Sequence, residues 1–242
     1  MTSEDEIRLI IEYLNKISKK TRRVGGREWT IAELAKIRSQ PNEFSGGYDS
    51  KMILADACLA WRNKYNKTVK PRLSQIEVQY AHIDTLEKLR ELIDHLGDNF
   101  NKEFWDFDSP RRKEMLEALV DAFIEYKRRV NILDDLQAMK DWARKGNPED
   151  WAKGINGVHI KNLGRANYEY LRMLCGVDSI KLDKHILHGI REALGYSKIG
   201  AEANELVEMM AKRAGIPILE IDQILWCNFA DEIPEIGLIA NT

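Results

Sequence analysis

The hexapeptide Lys181-Leu182-Asp183-Lys184-His185-Ile186 sets one carboxylate between two apolar stretches, where a chain entering a helix needs a cap. A carboxylate held rigidly at such a point can also stabilise developing positive charge or orient a water molecule. Asp183 is therefore the first candidate for chemistry. Upstream, Ile160-Lys161-Asn162-Leu163-Gly164 reads as a tight turn leading into a helix. Gly164 can take a positive φ, and Asn162 is among the few other residues that tolerate one. A turn of this kind aims the backbone N–H groups around Asn162, Leu163, Gly164, Arg165 and Ala166 outward, where the helix dipole adds positive potential. The product is a phosphate site that needs no base contact. For a lone Asn-x-Gly, an ordinary helix connection would be the better account.

Other polar and aromatic groups carry weaker signals. His185 and His188 are three apart and can share a helix face, but a metal would need further ligands, and none are patterned nearby. Structural work, bonding backbone near the turn, is the expectation for His185. Tyr168 and Tyr170 point in different directions on one helix, so at most one lines a pocket, with Tyr170 the candidate and Tyr168 packing. Trp226, in Leu219-Glu220-Ile221-Asp222-Gln223-Ile224-Leu225-Trp226, lies on an apolar helical face and reads as core. Cys58, Cys175 and Cys227 are widely separated and odd in number, so neither a disulfide framework nor a four-thiolate cluster can be assembled from one chain.

Helices must position these groups, because the dominant pattern is helical periodicity interrupted by caps. Ser3 with Glu6 opens a first helix as a capping box. Residues 24–31 read as a turn or small hairpin and 41–50 as a loop. Asp49 and Ser50 cap a helix expected to reach about Tyr65, bringing Trp61 and Arg62 onto it. Ser74 with Glu77 opens a stretch to Leu96, broken near Asp84. Ser109-Pro110 starts a long helix, and further helices fall at roughly 165–175, 184–194, 200–214 and 218–229. The basic runs at 111–113 and 127–129 read as solvated helix faces. The expectation is an all-α protein of about ten helices.

With 242 residues and 44% hydrophobic composition, the chain can bury a substantial core. The longest apolar runs are far too short to span a bilayer, and the N-terminus is acidic where a secretory signal is basic, so no membrane is expected and the location is cytoplasmic or nucleoid-associated. The formal charge of −2 argues against a protein that coats nucleic acid, but it is unevenly spread. Residues 151–191 carry seven Lys/Arg against three acids, while residues 201–242 carry two against eight. One basic face can thus meet phosphates while the remainder stays soluble.

Spacing ties the turn to Asp183. Ile160 to Gly164 resembles the helix-hairpin-helix of the base-excision DNA glycosylase superfamily that includes endonuclease III and the alkylpurine glycosylases. Their hairpin reads approximately Leu-Pro-Gly-Val-Gly and is followed by a helix, a short apolar stretch and Val-Asp-x-His. Leu182-Asp183-Lys184-His185 stands at that last motif, nineteen residues beyond Gly164, about the separation the superfamily uses. The resemblance covers residues 154–195. Residues 110–153 have the helix lengths of the surrounding barrel-like domain, and residues 1–100 resemble nothing specific. It implies two helical subdomains flanking a cleft. Residues 1–100 would form an N-terminal region packing with the C-terminal helices, 101–195 the barrel-like domain with the hairpin at about 150–175, and 196–242 the helices completing the cleft near Trp226.

Departures narrow the implied activity. Lys161 replaces the usual proline and Asn162 the first glycine. Ala166 stands where bifunctional members carry the lysine that attacks the sugar, so the Schiff-base route lacks its nucleophile. The cysteine loop that holds an iron–sulfur cluster in some relatives is missing, and the resemblance leaves room only for a monovalent cation at the hairpin. What is implied is a monomeric, monofunctional glycosylase. It would rotate a damaged or mispaired base out of double-stranded DNA and hydrolyse its N-glycosidic bond with Asp183, supported by His185, Tyr170 and Trp226. Two alternatives stand beside it: a DNA-binding protein that keeps the hairpin but has lost the chemistry, and an unrelated helical interaction protein.

Overall fold

A computed structural model describes residues 3–40, 47–61 and 63–233. Residues 41–46 of the expected loop, Arg62 and residues 234–242 lie outside the described residues. In chain order the elements are α1 (Glu4–Ser18), a hairpin of β1 (Thr21–Val24) and β2 (Arg27–Thr30), α2 (Ile31–Arg38), α3 (Ser50–Leu59), α4 (Lys70–Gln79), α5 (Leu86–Leu96), α6 (Pro110–Val130), α7 (Asp135–Lys145), α8 (Arg165–Leu174), α9 (Lys184–Leu194), α10 (Gly200–Ala214) and α11 (Ile218–Phe229). Among the described residues the protein is all-α apart from that hairpin, and no described helix is long and apolar enough to cross a membrane.

The chain divides into two compact units, one formed by Met1–Gly47 with Asp178–Thr242 and the other by Tyr48–Val177. These divisions differ from the boundaries near 100 and 195 expected from sequence. Their basis is packing between segments far apart in the chain, which local periodicity does not encode.

In the first unit, α1 begins with the expected reciprocal cap: Ser3 Oγ accepts the Glu6 N–H at 3.2 Å and Glu6 accepts the Ser3 N–H at 2.7 Å. Its buried face, Ile7, Ile10, Leu14 and Ile17, joins Ile186 and Ile190 of α9, Leu206 and Met210 of α10 and Ile221 and Leu225 of α11 in one core. Each such side chain contributes roughly 1.5–3 kcal/mol of burial. The hairpin turns through Gly25 and Gly26 at φ 58° and 79°, as a two-residue connection matching strand twist requires.

In the second unit, α3 is buried along its whole length. It ends at Leu59 rather than near Tyr65, because its last carbonyls find side-chain partners: Asn63 donates to the Leu59 carbonyl at 2.9 Å and Arg112 to that of Cys58 at 3.2 Å. Trp61 thus follows the helix rather than riding on it. The stretch expected from Ser74 begins earlier, at Lys70, with Pro71 in the first turn, and Thr85 caps α5 just past the break at Asp84. Aromatic side chains fill the centre, with Trp142 edge-on to both Phe123 (5.1 Å) and Tyr168 (5.4 Å).

Gly189 sets the approach of α9 to α11, since a Cβ there would stand 2.5 Å from Leu225 Cδ2 and 3.3 Å from the Phe229 ring. Gly189→Ala should lower stability by about 1–3 kcal/mol in chemical denaturation, as overpacking does. An unchanged midpoint would show that the two helices yield at no cost.

Candidate functional site

The turn at 160–164 is built on two apolar anchors, Ile160 and Leu163, 1% and 2% exposed, with Lys161 and Asn162 at the tip. The Leu163 N–H donates to the Ile160 carbonyl at 3.2 Å, closing a four-residue turn whose third residue needs a positive φ. Asn162 supplies it at φ 70°. Gly164 does not take the positive φ it was free to adopt; it is the extended N-cap of α8, φ −78° and ψ 167°. A Cβ on Gly164 would meet nothing within 4 Å, so neither backbone angle nor packing in this chain demands glycine there. Gly164, Arg165 and Ala166 keep backbone N–H groups that donate to nothing among the described residues, and no side chain caps the helix. The basic side chains are already paired, Lys161 with Glu114 at 2.9 Å and Arg165 with Glu149 at 2.5 Å. The exposed Lys161–Glu114 pair is worth little in water, and an incoming anion can exchange with it, whereas Arg165 is half-buried.

Behind the turn α8 is rigidly seated. Arg172 and Glu169, both buried, pair at 3.0 Å, and Arg172 Nε donates to the Ala143 carbonyl at 3.1 Å near the end of α7. Asn162 Nδ2 donates to the Arg111 carbonyl at 3.3 Å, tying the tip to the start of α6. The short helix before the turn is a 3-10 segment, Pro148–Lys153. It is separated from the turn by a loop that bridges Ile155 to Val158 and needs Gly154, where a Cβ would lie 1.9 Å from the Val158 carbonyl oxygen.

Asp183 lies in the first unit, half-buried, as the N-cap of α9. One oxygen, Oδ1, accepts both the His185 N–H at 2.8 Å and the Ile186 N–H at 3.3 Å, leaving Oδ2 outside the cap. Beside it stands a carboxyl that the sequence reading passed over. Asp222, 5% exposed, accepts the Lys181 N–H on Oδ1 at 3.2 Å and the Gln223 Nε2–H on Oδ2 at 2.9 Å. Burial first, and the Asp183 charge second, push the Asp222 carboxyl up to about 7. Gln223 has its amide orientation fixed from the other side, because Arg38 Nε donates to its Oε1 at 3.0 Å. The Arg38 guanidinium also lies 4.6 Å over the Trp226 ring. Trp226 is accordingly half-buried rather than core, its face covered by a cation.

The remaining candidates fall as follows. His185 is half-buried, and burial lowers its imidazole, with the Asp183 charge opposing. Its ring makes no hydrogen bond among the described residues, so the expected backbone contact is not made there. His188 pairs instead with Glu192 at 3.3 Å. Tyr170, in the second unit, donates its hydroxyl to buried Asp56 at 3.1 Å; burial and that carboxylate hold the phenol well above its ordinary range. Tyr168 packs, as its spacing suggested. The basic runs are not simply solvated. Arg112 binds the Cys58 and Trp61 carbonyls, and Lys127, largely buried, pairs with Asp135 at 2.5 Å and Glu87 at 2.8 Å. Cys58, Cys175 and Cys227 are all buried. Asn162 to Ala166 and Tyr170 thus belong to one unit, and Asp183, His185 and Trp226 to the other.

A family model described as a domain of unknown function, DUF8548, matches residues 56–229. The chain belongs to the DUF8548 family. The DUF8548 match takes in the turn at 160–164, Asp183 and Asp222, and leaves α1 and α2 outside it. No curated protein and no solved structure matches the chain.

Asp222 makes stability pH-dependent. The folded chain holds its proton to about pH 7, above the ordinary Asp value of 3.8, so stability is full below that ordinary range and is lost as pH rises through 7. Denaturation of the wild type should therefore show a loss on the order of a few kcal/mol between pH 5 and pH 8.5. Asp222→Asn, which cannot ionise, should flatten that slope while being slightly less stable at pH 5, because the Gln223 amide loses its acceptor. A slope equally steep in the variant would assign the effect to another group.

Proposed function

We propose that this DUF8548 chain is a monofunctional DNA N-glycosylase acting on damaged or mispaired bases in duplex DNA. The observation that carries the reading is the turn at 160–164. A non-glycine residue, Asn162, adopts the φ of 70° that the first hairpin glycine of the resembled superfamily serves. Two residues later stands a glycine that no contact among the described residues requires, and its backbone N–H and those of the next two residues have no acceptor among them. A phosphate approaching the N-terminus of α8 would require that glycine, since a Cβ at 164 would project into the space the anion needs.

In this reading one nucleotide, extruded from the stack, meets the carboxylate of Asp183. As the N-glycosidic bond breaks, its electron pair leaves with the base and positive charge develops on the sugar. Asp183, fixed by two backbone N–H groups, stabilises that charge and takes a proton from the water that adds at the same carbon. Alanine at 166 removes the lysine that forms the covalent sugar adduct in bifunctional members of the resembled superfamily, so the expected product is an intact abasic strand.

Purified protein should release a base from at least one duplex in a panel of alkylated, oxidised, deaminated and mispaired substrates. Asp183→Asn should slow release by at least about a hundredfold while leaving the protein folded. No release across the panel, with salt-dependent duplex binding intact, would contradict hydrolysis and leave the non-catalytic DNA-binding alternative. Gly164→Ala should retain wild-type stability and weaken duplex binding about tenfold. Unchanged affinity would contradict phosphate docking at the turn.

A further inference from the structure

The segment from Asp178 to Asp183 has no regular secondary structure, yet it is fastened to α11 at two points. The Asp178 carboxylate accepts the Ile218 and Leu219 N–H groups at 3.2 and 2.7 Å, capping the helix from outside it. Three residues on, the Lys181 N–H donates to Asp222 at 3.2 Å, and the Lys181 carbonyl accepts the Asp183 N–H at 2.5 Å. A single residue of backbone thus links the buried carboxyl to the N-cap of α9. On its other side Asp222 is fixed by Gln223, which is itself held by Arg38.

We propose that Asp222 is a positioning residue for Asp183: it fixes the Lys181 peptide and, through it, the place of the Asp183 carboxylate. The consequence for catalysis rests on the glycosylase reading; the coupling itself does not. The groups facing Asp222 are Asp183 and Lys181 from the preceding segment, Arg38 of α2 through Gln223, and Cys227 farther along α11. His185 of α9 faces Asp183. From α1 and α10, which also pack on α11, come apolar residues such as Ile10 and Val207. Of these neighbours Asp183 is the carboxylate whose charge opposes that of Asp222. When Asp222 ionises, two like charges share one end of the core. The repulsion pushes on the one stretch of backbone that joins them.

The amide of Lys181 in the full-length protein reports this directly. Its nitrogen shift should titrate with a midpoint near pH 7 in the wild type. The transition should vanish in Asp222→Asn, and in Asp183→Asn its midpoint should fall by about one pH unit. On a duplex that releases base, the wild-type single-turnover rate should drop about tenfold between pH 6.5 and 8.5, as misplacing a reacting group does. Asp222→Asn, neutral and still an acceptor for the Lys181 N–H, should hold its rate across that range within about twofold. Asp222→Leu, which has no acceptor, should lose about tenfold at every pH. A merely structural Asp222 would leave the shape of the pH profile the same in wild type and asparagine variant, and that result overturns the proposal. So does a Lys181 titration that survives in Asp222→Asn or keeps its midpoint in Asp183→Asn. Should no substrate yield a base, the amide titration still decides the positioning claim, and the loss falls on the glycosylase reading alone.

Discussion

One oxygen of Asp183 accepting the two N–H groups at the start of α9 is the interaction on which the candidate chemistry depends. A free carboxylate on an irregular segment would sample many positions. Bound to His185 and Ile186 N–H at 2.8 and 3.3 Å, it has one. The cap also draws on the core, because Ile186 and Ile190 of the same helix are buried against residues of α1, α10 and α11. Where Asp183 sits is thus decided by the packing of N- and C-terminal segments that are distant in the chain. Charge-assisted hydrogen bonds of this kind contribute about 1.5–3 kcal/mol each, enough to hold a turn whose backbone has no ladder of its own.

The same economy governs the turn at 160–164. Ile160 and Leu163 bury themselves on either side of the tip, so the two residues between them face outward without choice. The Glu169–Arg172 pair on α8 has lost its water, and breaking such a pair costs about 3–5 kcal/mol; Arg172, held so, ties the helix to the Ala143 carbonyl of α7. The exposed pair of Lys161 with Glu114 is a different kind of interaction, weak and exchangeable. A rigid buried pair on the helix and a loose surface pair at the turn before it are what a site needs if it must stay in register while trading its counter-ion for phosphate.

Much of this was legible in the sequence because it is local. A capping box marked α1, and the spans of α9, α10 and α11 agree with the helices read from their apolar spacing, whereas α2, capped by Thr30 and Glu33, was not read from the sequence. The candidate residues at the turn and at 183 came from turn and cap chemistry together with the resemblance to the glycosylase hairpin. Asp222 was hidden for a physical reason: it sits on the stripe of α11 with Ile218 and Leu225, so the surrounding apolar run reads as core and masks the one carboxyl within it. The signal that would have found it is that same conflict, an Asp-Gln pair at core positions, which folding tolerates only where each polar atom finds a partner. Arg112 and Lys127 were misread because a basic run looks alike whether it meets water or the carbonyls and carboxylates of a neighbouring helix. The end of α3 and the two-unit division likewise depend on partners dozens of residues away.

The central claim is that Asp183 is set to meet positive charge on a sugar, and it can be tested without knowing which base is removed. A duplex carrying a cationic pyrrolidine in place of one sugar imitates the charged transition state, and an otherwise identical duplex with a neutral tetrahydrofuran does not. Wild-type protein should bind the cationic duplex at least about a hundredfold more tightly than the neutral one, and Asp183→Asn should erase the difference. Equal affinity of the wild type for the two duplexes would contradict the account.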